Sequence, residues 1–344
     1  MKDLKELKNE ELQTLLKELK QPAFRVKQIR KWMLQGAGSY GEMTNLPQAL
    51  RDGLASRYSW NGLTVDLVQC SASDGTRKYL LGLPDGNKVE AVFMAYDYGN
   101  SLCISTQVGC SMGCRFCAST IGGKIRDLSA WEIYYEYMTC MKDAGQPINH
   151  IVLMGMGEPF DNYEEVSAFL RLIHDEDGIG LSYRNITLST CGLIPGIRQF
   201  GEEFPQVNLA ISLHASTQEE REGLMPVAKA YGLDELMAAC REHAEKTGRR
   251  VTFEYTLIEG RNDGEENADR LVKLLGGMLC HVNLIPLNPV AETGMAGSSR
   301  KWAEKFRARL EVQGIPATVR RELGRDIDAA CGQLRKKHSS QNIQ

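Results

Sequence analysis

Apolar positions in the first sixty residues follow a helical period. Leu4, Leu7, Leu12, Leu15, Leu16 and Leu19 recur near helical spacing, and Pro22 ends the segment. Phe24 to Met33 forms a second, basic amphipathic stretch, and Pro47 opens a third short helix. The period then falls to two. Residues 76–82 and 88–95 alternate like strands, joined by Pro84-Asp-Gly-Asn87, which has turn chemistry. From about residue 100 the pattern becomes strand, loop, helix, repeated. Strands are predicted at Leu102 to Gln107, His150 to Met154, Asn185 to Ser189, Val207 to Leu213, Arg250 to Ile258 and His281 to Leu287. A further one, Ala317 to Arg321, can pair after them. Ser129-Ala-Trp-Glu132 is a capping box and Gly145 suits the end of its helix. Further helices are predicted over 233–246, 264–275 and 299–313.

About six β/α units predict an α/β chain with a parallel sheet curled into a partial barrel, since a complete eight-unit barrel needs more residues. The chemically suggestive residues then fall just after strands, on the face where barrels carry their sites. They are Cys110 to Cys117, Gly157, Glu158, Ser189, Ser212 to His214, and Asn288. The expected organisation is a helical accessory domain over 1–60, a β-hairpin extension over 61–98 and the partial barrel over 99–344.

Composition narrows the classes. The chain has 344 residues, 42% of them hydrophobic, enough for a sizeable core. No apolar h-region follows the charged residues after Met1, so no signal peptide is expected. No apolar run approaches the ~20 residues of a membrane span. Ten scattered cysteines suit a reducing cytoplasm better than a secreted disulfide framework. A net charge of −3 excludes a globally basic nucleic-acid binder. Two local clusters remain, Arg25 to Lys31 and Arg320 to Lys337, and each alone reads as a solvated face.

Candidate chemistry concentrates in Gly109-Cys-Ser-Met-Gly-Cys-Arg-Phe-Cys-Ala118. Its C-x₃-C-x₂-C spacing lets Cys110, Cys114 and Cys117 converge on one centre. Three thiolates on a four-iron cube leave one iron open to a small molecule. Zinc completed by a distant histidine, or plain buried thiols, are the other readings. Zinc sites usually pair two separated C-x₂-C motifs, and this chain has no second one.

The cysteine spacing and Met154-Gly-Met-Gly-Glu-Pro159 resemble the radical S-adenosylmethionine superfamily. Leu102-Cys-Ile-Ser-Thr-Gln-Val-Gly-Cys110, Leu209-Ala-Ile-Ser-Leu-His214, Val282-Asn-Leu-Ile-Pro-Leu-Asn288 and Asp326-Ile-Asp-Ala-Ala-Cys-Gly-Gln-Leu334 narrow the likeness. Together they resemble the RlmN/Cfr group of RNA adenine methyltransferases over nearly the whole chain. Val108 and Pro286 look RlmN-like, which implies methylation at adenine C2; the Cfr-like alternative is C8. A radical enzyme acting on a non-RNA substrate shares the cysteine loop and stays open as well.

The resemblance implies one [4Fe-4S] cluster on Cys110, Cys114 and Cys117, and two molecules of S-adenosylmethionine per turnover. It implies that Cys331 carries the methyl group, that Cys103 resolves the product through a transient disulfide, and that Glu90 is the general base. On sequence alone, Glu90 is an exposed strand glutamate and Cys331 a small buried hydrophobe. Gly157, Glu158, Ser189, Ser212, Leu213, His214 and Asn288 are implied to cradle the cofactor. The implied partners are 23S rRNA, tRNA and an electron donor such as flavodoxin, with the enzyme a cytoplasmic monomer.

Overall fold

Alternation along the strands decides which side of the sheet is wet. The computed structural model describes residues 1–288 and 294–327. The described strands are β1 (Thr64–Cys70), β2 (Arg77–Gly82), β3 (Lys88–Met94), β4 (Ser101–Cys103), β5 (Gln107–Gly109), β6 (Lys124–Asp127), β7 (His150–Leu153), β8 (Ile186–Thr190), β9 (Asn208–Ser212), β10 (Val251–Leu257), β11 (Cys280–Pro286) and β12 (Ala317–Val319). Ten of them form one sheet in the order β1-β2-β3-β4-β7-β8-β9-β10-β11-β12. β1 to β4 pair antiparallel, and β4 onward pair parallel. The expected hairpin is therefore a three-stranded extension continuous with the barrel sheet. β1 went unpredicted because its mostly exposed residues lack a buried face.

The first barrel strand also differs from expectation. Instead of running from Leu102 to Gln107, it ends at Cys103, and Gln107 opens a separate ribbon of β5 and β6. The break has a function: the ribbon frames the cysteine loop between its strands.

The helices are α1 (Asn9–Glu18), α2 (Arg25–Leu34), α3 (Gln48–Ala55), α4 (Ala130–Ala144), α5 (Tyr163–His174), α6 (Ile194–Glu203), α7 (Gln218–Leu224), α8 (Leu233–Thr247), α9 (Glu265–Leu275) and α10 (Arg300–Val312). The Ser129 side chain accepts from Glu132 N and caps α4, and Gly145 closes it in the left-handed region. Loss of such a cap costs about 1 kcal/mol. None of the described helices is long and apolar enough to cross a membrane.

Ile151, Leu188, Ile211, Phe253 and Val282 point toward the helices and join one continuous core. Their neighbours Ser189, Ser212, Glu254, Thr256 and Ile285 point the other way and line a cavity. A half-apolar strand is thus buried on both faces, with helices outside and a concave polar interior within. The N-terminal helices dock on α4. Tyr135 Oη donates to Ala37 O at 3.2 Å, and Tyr134 Oη donates to Leu34 O. Lys5 is buried at this junction, bonded to Asp3 at 2.9 Å and lying over the Trp60 and Tyr135 rings.

Candidate active site

The cysteine loop starts at a position only glycine tolerates. Gly109 has φ +83°, and a Cβ there would lie 2.0 Å from the Gly123 carbonyl oxygen. That close approach locks the two ends of the loop together. Gln107 donates to Asp127 and Asp161 at 2.8 and 2.9 Å, and Lys124 pairs with Asp161 at 2.8 Å. Inside the loop, Arg115 N donates to Leu224 O at 2.9 Å, so α7 supports it from behind.

Cys110, Cys114 and Cys117 all line one cavity of about 260 Å³ at the C-terminal ends of the parallel strands. Burial pushes the Cys110 thiol up to about 11 and raises Cys114 further, and each also feels Cys117. Two thiols held back from ionisation by burial, with a third beside them, suit a strongly cationic partner, because a metal centre stabilises the thiolates. Among the described residues no three His, Cys, Asp or Glu side chains close in on a single ion. A cube instead meets its thiolates at separate corners. The donor set therefore fits an iron–sulfur cluster.

Gly157, Glu158, Ser189, Ser212, His214 and Asn288 line the same cavity. Gly157 sits at φ +110°, where a Cβ would press on Thr106 and Gln107 within 2.7 Å. Glu158 is buried, and its carboxylate accepts from Cys191 N at 2.7 Å and Phe160 N at 3.1 Å. Burial raises its pKa, with those amides opposing. Ser189 and Ser212 hydroxyls lie 3.4 Å apart. His214 takes a positive φ of 55°, and its Nδ1 accepts from Thr256 N at 3.0 Å. Burial drives its pKa down to about 3, so the ring is neutral near pH 7 with Nε2 carrying the proton. Phe116 from the cysteine loop packs edge-on against it at 4.8 Å.

Three expected residues lie elsewhere among the described ones. Leu213 points into the apolar core, away from the cavity, and contributes only backbone: its N–H donates to Glu254 O at 3.0 Å. Glu90 is not exposed. Its side chain is 2% accessible and pairs with Lys78 at 2.5 Å, because β3 turns that face into the barrel interior rather than to water. Cys103 is buried beside Val92, Met94, Tyr96, Met154 and Leu323. Met154 lines the cavity, so this cluster forms its wall. Cys331 lies outside the described residues.

Several cavity residues escaped sequence reasoning. Glu254 and Thr256 occupy alternate positions of β10, and that polar alternation on a strand between two helices was the available signal. Arg320, on the same cavity, read only as part of a basic tail.

The radical SAM superfamily model matches residues 104–272, and the model of the ribosomal RNA large subunit methyltransferase N-terminal domain matches residues 2–59. A probable dual-specificity RNA methyltransferase RlmN from Desulforamulus reducens is 47% identical over 99% of this chain and 97% of its own length. One so named from Clostridium perfringens is 49% identical over 98% of each. The crystal structure of a radical SAM methyltransferase from Sphaerobacter thermophilus superposes with a TM-score of 0.90. It is 43% identical, covering 97% of this chain and 99% of that one. Matched at this identity over nearly its whole length, this chain belongs to the RlmN family of radical SAM RNA methyltransferases.

Proposed function

We propose that this enzyme methylates C2 of a specific adenosine in 23S rRNA and of the adenosine 3′ of the tRNA anticodon. Cys331 carries the carbon, Cys103 releases it and Glu90 takes the C2 proton. The observation that carries the reading is the path of the C-terminal segment. Leu323 packs against the Cys103 cluster, eight residues before Cys331. Asp326 accepts from Ser71 Oγ at 2.6 Å and Ala72 N at 2.8 Å, and Gly324 N donates to Asp74 at 2.8 Å. From Asp326 only five residues lead to Cys331, a reach of at most about 18 Å. That span suits a disulfide with Cys103.

Adenine C2 is electron-poor and is no nucleophile, so polar methylation of it fails. Cys110, Cys114 and Cys117 would hold the cluster, which would supply the electron for reductive cleavage of S-adenosylmethionine. Cys331 first takes a methyl group as a thiolate, forming an S–C bond while the sulfonium S–C bond of S-adenosylmethionine breaks. Hydrogen abstraction from that methyl would leave a carbon radical that adds to C2. As Glu90 takes the C2 proton, the adduct's unpaired electron would return to the oxidised cluster and the ring would regain its aromaticity. The Cys103 thiolate then attacks the Cys331 sulfur; the S–S bond forms, the S–C bond breaks, and the carbon leaves with the electron pair and is protonated. A flavodoxin-type donor, action as a monomer and a cytoplasmic location belong to the same reading. The N-terminal helices and the basic C-terminus hold RNA through its backbone, with the adenine unstacked.

Mass spectrometry of nucleosides from 23S rRNA and tRNA tests this. Cells lacking the gene are expected to lose 2-methyladenosine from both. Loss of 8-methyladenosine instead, or no change, refutes the C2 assignment.

The strap yields a second expectation. Asp326→Ala removes the carboxylate that ties it to the β1–β2 turn. Misplacing a reacting group by about 1 Å can cost roughly a hundredfold, so methyl transfer is expected to slow ten- to a hundredfold. Iron content should stay unchanged, because the partners of Asp326, Ser71 and Ala72, belong to the β1–β2 turn and not to the cysteine loop. Hydrogen exchange at Ala72 should quicken in parallel.

A further inference from the structure

Arg221 is a cation without a counter-anion among the described residues, buried behind the cysteine loop. It projects from α7 and is 0% exposed. Its Nη2 donates to Cys191 O at 2.6 Å and more weakly to Ser212 O at 3.4 Å. Its Nε and Nη1 are buried and find no hydrogen-bond partner among the described residues. No carboxylate of the described residues pairs with it, although burying an unpaired charge is costly. An arginine cannot escape that cost by losing its proton.

Its charge faces the thiols of Cys191, Cys114 and Cys240 and the buried ring of His214. Cys114 and Cys191 also pack together with Leu224 and Met225, at the end of α7. Gly192, at φ +108°, brings the backbone so near that a Cβ would lie 3.1 Å from Nη2. Glu158 acts on Cys191 and Cys114 as well, and its oxygens are held by the Cys191 and Phe160 amides rather than by Arg221. Arg221 does not line the cavity, so it is not placed to take S-adenosylmethionine. A negatively charged centre held by Cys114 would supply a counter-charge.

We propose that Arg221 is a positioning residue for the cluster's charge: it stabilises the reduced form and raises the reduction potential. This rests on the reading that Cys110, Cys114 and Cys117 hold a four-iron cluster. Such a cluster with three thiolates is net negative, and it takes one electron more on reduction. A fixed positive charge in a dry setting favours that electron, and potential is known to respond to net charge, hydrogen bonds and exposure.

The test is a dithionite titration of the anaerobically purified, full-length protein without S-adenosylmethionine, followed by electron paramagnetic resonance. Arg221→Gln is expected to lower the equilibrium constant for reduction at least tenfold, or about 59 mV for one electron. Arg221→Lys, which keeps the charge, should stay near the wild-type midpoint. Equal midpoints for all three proteins overturn the proposal. So does an equal drop in both variants, which would indicate lost hydrogen bonding rather than lost charge. If Arg221→Gln binds no iron, the apo-proteins decide. A wild-type urea midpoint means that the charge is needed to retain the cluster, which supports the proposal; a lowered one assigns Arg221 to folding and overturns it. Zinc in place of iron in the wild-type protein would instead remove the cluster reading itself.

Discussion

Lys78→Met is expected to destabilise the protein by about 3–5 kcal/mol, the usual cost of removing one partner from a buried ion pair. Lys78 and Glu90 are diagonal neighbours on β2 and β3, since Leu80 stands opposite Glu90 and Val92 opposite Lys78. Their side chains are 1% and 2% accessible and 2.5 Å apart. Methionine matches the length of lysine but leaves the carboxylate facing apolar atoms where an ammonium stood. A lowered urea midpoint measures the loss. The double variant Lys78→Met/Glu90→Met should recover most of it, because replacing both partners with apolar residues is often nearly neutral. A single variant as stable as wild type would mean that water reaches the pair. The same substitution should slow methylation beyond any effect of unfolding, because Glu90 is the proposed base and Lys78 orients its carboxylate.

This ion pair also marks where sequence reading reached its limit. Alternation in 88–95 correctly put Val89, Ala91 and Phe93 against the core, leaving Glu90 on the opposite face. A lone strand cannot reveal whether its opposite face meets water or the inside of a barrel. That distinction is set by curvature of the whole sheet, through pairings as far apart as β3 with β4 and β11 with β12. The strand-end residues were legible for a simpler reason. In a parallel sheet every strand ends on one side, so Gly157, Ser189, Ser212 and His214 converge whatever the curvature. Leu213 was implied only by the resemblance, as part of the run from Ser212 to His214. It follows Ser212 and turns outward to the core, as alternation requires. Arg221 gave no sign at all. Within Gln-Glu-Glu-Arg-Glu-Gly-Leu it reads as one charge on a polar helix, and only packing shows it buried.

Cys103→Ala is expected to abolish turnover while allowing one methylation-like event per enzyme. Cys103 lies on β4 opposite Val152 and Val92, and is 5% accessible in an apolar wall. Alanine fits there with loss of one sulfur atom, so folding should survive. In the proposed sequence, what is lost is the thiolate that attacks Cys331 after carbon transfer to adenine, so the chain of steps should halt with RNA bound through a thioether. The expected result is a protein band shifted by the mass of the RNA fragment, stable to reductant and removed by ribonuclease down to a single nucleotide. Peptide mapping should place that nucleotide on Cys331. Cys331→Ala in the same background removes the acceptor of the methyl group and should abolish the shift. Cys280→Ala, a change at another buried cysteine on the β11 strand, should leave turnover intact. Free release of methylated RNA by Cys103→Ala would show that the thioether is cleaved without a resolving thiol. A stable adduct in Cys103→Ala alone ties the buried cysteine of a three-residue strand to the release step, and ties the C-terminal strap to the cavity it borders.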